Sequence, residues 1–241
     1  MVTYGKEETI FPNFSLPDLS GREVDISTYS GKRLIIFMWA SWWDCREQLP
    51  VWQELYVNEM GEGDNVELLT VAVDFQGSTV VKPYIDKAKA SFTTVVDSEN
   101  ILARLCGFKA VPNGYFIEPG LKVSESIKGK FDIRIPELFE KTRRWIKASH
   151  VREIDDKKFI GEGMSSEEQY MFDKGLGFYQ QGNESEAILE WQKLVEMDPK
   201  NFIVRKQICA IVHPDKFYAG DVDFDWQQIQ MQREAYQLNS D

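Results

Sequence analysis

The sequence is poor in the residues that metal cages and disulfide frameworks require. Its three cysteines, Cys45, Cys106 and Cys209, are odd in number and widely dispersed, which excludes a disulfide framework. Two histidines, His150 and His213, are too few and too distant for a zinc cage, so neither metal nor cofactor is expected. Basic residues are also short: 28 Lys and Arg stand against 39 Asp and Glu, a formal charge of −11. No Lys/Arg cluster overrules that charge, and nucleic acid is excluded as a partner. No apolar run reaches the roughly 18 residues of a membrane span. The longest, Leu34 to Trp43, has the length of a buried strand. Met1 to Thr9 lack the basic-then-apolar pattern of an export signal. That predicts a cytoplasmic protein, or an exported or membrane-tethered one if a leader precedes Met1. The oligomeric state is left open.

What the chain does have is a core. Hydrophobic residues make up 43 % and aromatics 13 % of 241 residues, enough for one domain and a smaller appendage. Strand-like and helix-like stretches alternate up to residue 148. Arg33–Trp39 is a continuous apolar run of buried-strand type, and Cys45–Met60 follows with Leu49, Trp52 and Leu55 at helical spacing. Val66–Asp74 is strand-like, Lys82–Ala90 helical, Thr93–Asp97 a strand and Ile101–Leu105 a short helix. Val111–Glu118 is a strand opened by proline; Pro119-Gly120 turns into Leu121–Ile127, and Pro136–Lys147 is an amphipathic helix. This alternation predicts an α/β layer fold over 1–148. A polar stretch, 149–165, reads as a linker, and 166–241 as a small all-α domain.

Three landmarks then resemble one family: Phe11-Pro-Asn-Phe-Ser-Leu-Pro-Asp-Leu-Ser-Gly21, the run Leu34–Trp39, and Cys45-Arg-Glu-Gln-Leu-Pro50. They are similar to the TlpA/ResA-like redoxins, thiol–disulfide oxidoreductases of thioredoxin fold in the AhpC/TSA superfamily. The resemblance implies a central sheet flanked by helices and a cis-proline at Val111-Pro112. It also implies a Trp-Cys-x-x-Cys-Arg motif, of which Cys45, Arg46 and Pro50 match the second cysteine, the basic residue and the proline. Trp42 stands where the first cysteine belongs. That thiol is the attacking nucleophile of disulfide exchange, so Trp42-Trp43-Asp44-Cys45 cannot run a two-thiol cycle. Gln48 replaces the family's glutamate, and Ile36 stands where thioredoxins often bury a carboxylate.

A one-cysteine peroxidase of the peroxiredoxin type would need a proline and a Thr or Ser where Met38 and Trp42 stand. Cys45 therefore has two readings, a functional thiol or a structural remnant, and Cys106 reads as a buried structural thiol. Trp42 and Trp43 form either a sticky cap for a partner or a plug packed on Trp39. A tryptophan here also raises a recoded selenocysteine position.

In the tail, Gly175, Phe178, Gly182, Ala187, Trp191 and Pro199 have spacings that resemble one tetratricopeptide repeat, stacked on helices over Asn201–Val212 and Asp225–Gln237. His213-Pro-Asp-Lys216 resembles the loop of J-domain co-chaperones but is also an ordinary turn signal.

Three functions follow. The first is a redox-degenerate redoxin that binds protein or peptide through Trp42, Trp43, Asp44, Cys45, Arg46, Gln48, Val111 and Pro112, with Val111 offering its backbone. The second is a thiol–disulfide oxidoreductase or thiol peroxidase using Cys45 alone, with a thiol protein as partner. The third is a chaperone adaptor acting through the tail.

Overall fold

The computed structural model describes residues 9–60, 65–148 and 163–230. Contacts divide the chain into two compact units. One comprises Met1–Ala40 with Cys45–Gly163, the other Ser41–Asp44 with Met164–Asp241. Most of the expected linker, and the last part of the helix expected over Asp225–Gln237, lie outside the described residues. Among the described residues, no helix is long and apolar enough to cross a membrane.

The first unit opens with a hairpin of β1 (Ser15–Pro17) and β2 (Glu23–Asp25). In its turn Asp18 accepts hydrogen bonds from the Ser20 and Arg22 backbone and from both side chains, which hold its carboxyl well below the usual range. Then come β3 (Arg33–Trp39), α1 (Leu49–Glu59), β4 (Val66–Ala72), α2 (Ser78–Ala88), β5 (Thr93–Val96) and α3 (Ile101–Cys106). β6 (Asn113–Glu118), β7 (Lys122–Ile127) and α4 (Pro136–Lys147) complete the unit. The main sheet has the order β5-β4-β3-β6-β7, with β3, β4 and β5 parallel and β6 and β7 antiparallel. This is a thioredoxin-like fold, a mixed sheet flanked by helices. All seven residues of β3 are buried, as a central strand covered on both faces requires.

Three boundaries differ from the sequence expectation. Cys45–Met60 is not one helix: Asp44–Gln48 form a 3-10 turn and α1 starts at Leu49. Pro50 is the reason. It has no N–H to bond back into a preceding turn, and at the second helical position it needs none. α2 begins at Ser78 rather than Lys82, because Gly77, at φ 75°, turns the chain just before it. β6 begins at Asn113 rather than Val111, since Pro112 cannot donate to the ladder.

The core is aromatic. Phe131 packs edge-on against Phe37, Trp52 and Phe116, at centroid separations of 6.1, 5.5 and 5.6 Å, and Phe116 meets Trp145 at 5.1 Å. Arg33 ties α4 to the sheet. Its guanidinium lies 3.9 Å over Trp145, pairs with Glu118 at 3.0 Å, and donates to the carbonyls of Trp145 and Ala148 at 2.7 and 2.8 Å. A buried cation thus satisfies the carbonyl end of that helix. Asp97 does the reverse for α3, accepting the N–H groups of Ile101 and Leu102 at 2.7 and 2.8 Å. Burial pushes its carboxyl up to about 6 despite those bonds.

The second unit is helical: α5 (Ser166–Gln180), α6 (Glu184–Met197), α7 (Phe202–Val212) and the short α8 (Asp215–Tyr218), with helix again at 224–230. A capping box of Ser165 and Glu168 starts α5. A turn with Gly182 at φ 79° then folds α6 back against it. Gly175 permits that approach, since a Cβ there would lie 2.5 Å from Trp191 Nε1. Ala187 and Trp191 are fully buried, Phe178 is half-buried, and Pro199 is exposed after the C-terminus of α6.

Gly114 is the tightest point of the sheet: a Cβ there would lie 2.0 Å from the Phe131 ring. Gly114→Ala is therefore expected to lower unfolding free energy by about 1–3 kcal/mol. Gly31→Ala, which meets open space, should change it little. Urea denaturation of the two variants checks both.

Candidate functional site

The candidate site lies where β3 ends. Met38 pairs with Asn113, so the Val111–Pro112 bond, which is cis, sits at the same sheet end as the loop that follows β3. Val111 is 7 % exposed and Pro112 is buried. Among the described residues none hydrogen-bonds the backbone N–H or C=O of Val111.

Cys45 is 2 % exposed. Its Sγ accepts the Ala40 N–H at 3.3 Å and lies 3.7 Å from the Ala40 carbonyl, so the sulfur is folded back onto the end of β3. It sits in the 3-10 turn, before the first residue of α1, and not in the first turn of the α-helix. Arg46 is buried with its guanidinium 4.5 Å over the Tyr84 ring, donating to Tyr84 Oη at 2.6 Å and to Glu47 Oε1 at 3.2 Å. Burial pushes the Tyr84 hydroxyl up, with the Arg46 charge opposing.

Gln48 is fully buried and uses both ends of its amide. Nε2 donates to the Phe131 carbonyl at 3.2 Å, and Oε1 accepts the Ile133 N–H at 3.1 Å. A carboxylate could make only the second bond. The amide therefore works here as a clamp on the chain after β7.

The loop residues Ser41–Asp44 cluster with the helical unit. Trp42 is 2 % exposed, so it presents no ring to a partner, and its Nε1 has no hydrogen-bond partner among the described residues. Trp43 and Asp44 are half-buried. The ring of Trp43 meets neither expectation of a bare cap nor of a plug on Trp39. It packs edge-on to Phe224, centroids 5.5 Å apart at 84°.

Residues 8–126 match the AhpC/TSA family. The match makes this stretch similar to that family. Among its relatives are thiol-disulfide oxidoreductases named ResA. That of Bacillus thuringiensis subsp. konkukian is 27 % identical over 127 residues, 52 % of this chain and 70 % of the relative. That of Oceanobacillus iheyensis is 32 % identical over 124 residues, 49 % of this chain and 62 % of the relative. A Chlorobium tepidum structure named as a thiol:disulfide interchange protein DsbE is similar in fold. It has a TM-score of 0.51 at 22 % identity and covers 58 % of this chain and 98 % of its own.

The first unit holds a second thiol, Cys106, with no exposed surface, and burial pushes it up to about 12. It is protonated at neutral pH. Cys209, in the helical unit, is half-buried. Sequence reasoning missed Tyr84 as the platform for Arg46, and Phe131 and Ile133 as the partners of Gln48. No local pattern marks them, because two of these contacts are to backbone groups. The pairing of Phe224 with Trp43 also has no local mark, because the two residues are far apart in the chain.

Native iodoacetamide labelling, read by peptide mass spectrometry, is expected to modify Cys209 first. Cys45 and Cys106 should react only when the chain is unfolded. Gln48→Glu is expected to cost about 1–3 kcal/mol at pH 7.5, because the Phe131 carbonyl loses its donor. The buried glutamate would have a raised pKa. The deficit should therefore be smallest below about pH 4, where the acid can donate, and grow as pH rises through that pKa. Urea midpoints against pH for the variant and the parent protein check this.

Proposed function

We propose that the AhpC/TSA domain is redox-degenerate and works as a polypeptide-binding module. One contrast carries this reading: the thiol of the motif is sealed against Ala40, while the backbone of Val111 beside the cis-proline is left without a partner. The ResA relatives are thiol-disulfide oxidoreductases, and thiol exchange needs an attacking thiolate that a partner disulfide can reach. Trp42 in place of the first cysteine removes that nucleophile. The docking edge that would align a substrate chain is retained, and an extended segment adds to it through main-chain hydrogen bonds. Trp43, half-buried next to Trp42 in sequence, supplies a separate aromatic anchor. The α5–α6 hairpin, with Gly175 beneath the Trp191 ring, supports a single tetratricopeptide-like unit comprising Gly175, Phe178, Gly182, Ala187, Trp191 and Pro199.

A fluorescent, reduced and carboxymethylated unfolded protein tests the proposal by anisotropy. It should bind the parent protein and Cys45→Ser equally, and Trp43→Ala about tenfold more weakly. Loss of binding in Cys45→Ser, together with reduction of a model disulfide by the parent protein, would instead make Cys45 the working group of a one-thiol enzyme.

A further inference from the structure

The helical unit holds a cluster that neither its packing nor the docking edge accounts for. Lys206 is 5 % exposed, yet its Nζ lies 5.4 Å from the centroid of the Trp43 ring and donates to Gln227 Oε1 at 2.6 Å. A lysine brought that deep into a helical unit is unusual, because lysine is almost never fully buried without a partner. The face of an indole ring and an amide oxygen compensate, the first by attraction between the cation and the ring quadrupole. Against the same ring lies Phe224, still 47 % exposed.

Phe224 arrives in a distinctive setting, Asp221-Val-Asp-Phe-Asp225. Asp221 and Asp225 are exposed. Asp223 caps the helix at 224–230 by accepting the Trp226 N–H at 2.9 Å, and lies 3.6 Å from Lys216 Nζ. Trp226 pins the segment from the other side, against His213 and Phe217 at 5.0 and 5.9 Å. The short acidic strap is thus held at its base by Trp226, while its Phe224 reaches the Trp43 ring beside a lysine.

We propose that Trp43 and Lys206 form a docking site for an acidic peptide carrying an aromatic residue, and that Phe224 occupies it as an internal stand-in. The occupant's chemistry is read from the chain itself. An aromatic ring meets Trp43, whose ring also faces Lys206, and the flanking carboxylate of Asp223 lies 3.6 Å from Lys216. With a formal charge of −11, the protein would otherwise repel an acidic partner, so a local cation at the aromatic anchor is what permits selection of one. The inference rests on the polypeptide-binding reading and names its partner. It also supplies a brake, since a tethered occupant competes at an effective concentration on the order of millimolar.

The test uses the full chain and a labelled peptide with the sequence of residues 220–230, followed by anisotropy. Phe224→Ala should bind the peptide at least tenfold more tightly than the parent protein. Trp43→Ala combined with Phe224→Ala should lose that gain, as should a peptide in which the phenylalanine is alanine. Hydroxyl-radical footprinting should show Trp43 more reactive in Phe224→Ala, with Trp191 unchanged. Equal binding to the parent and Phe224→Ala, no binding to Phe224→Ala, or equal binding with and without Trp43 would each overturn the proposal. Failure of the polypeptide-binding reading would instead appear as unfolded protein binding no better to the parent than to Trp43→Ala.

Discussion

Phe131 is the residue on which the first unit turns. Its ring lies against the Gly114 backbone with no room for a methyl group, and against Phe37, Trp52 and Phe116. Its carbonyl accepts the Gln48 amide. One residue therefore sets the spacing of sheet to α1 and fixes the end of the turn that carries Cys45. The aromatic cluster supplies the stiffness: rings packed edge to face in a dry interior have few alternative arrangements. Gln48 passes that stiffness to the 3-10 turn through two hydrogen bonds whose loss would leave buried groups unmatched.

The same clamp bears on the chemistry. A redox loop in this fold needs a thiolate at its edge and freedom to let a second sulfur approach. Here the turn is held from below by Gln48 and from the side by Arg46 on Tyr84, with the lone sulfur folded onto Ala40. On the proposed reading, a loop tied down in this way with its sulfur sealed presents a fixed surface rather than a reactive thiol. Fixed surfaces bind with less ordering cost than mobile ones.

Much of the fold was legible. Arg33–Trp39 announced a strand buried on both faces, and Pro136–Lys147 an amphipathic helix with bounds that the structure reproduces. The errors cluster at prolines and glycines, where a single residue redirects the backbone: Pro50 cut the expected helix, Gly77 started one early, and Pro112 delayed a strand. The site was legible in its composition and not in its posture. Trp42, Cys45, Arg46 and Gln48 could all be named, but Trp42 proved sealed and Gln48 proved to be a tie to chain 85 positions away.

The order of elements and the missing nucleophile were properties of the sequence. Apolar periodicity is set by neighbours a few positions apart, and an indole has no thiol chemistry in any fold. Burial of the remaining sulfur, the use of the Gln48 amide and the covering of Trp43 by Phe224 were decided only in three dimensions. Each depends on groups distant in the chain, several of them backbone atoms that every residue carries alike. Local pattern therefore holds no mark of which ones will meet.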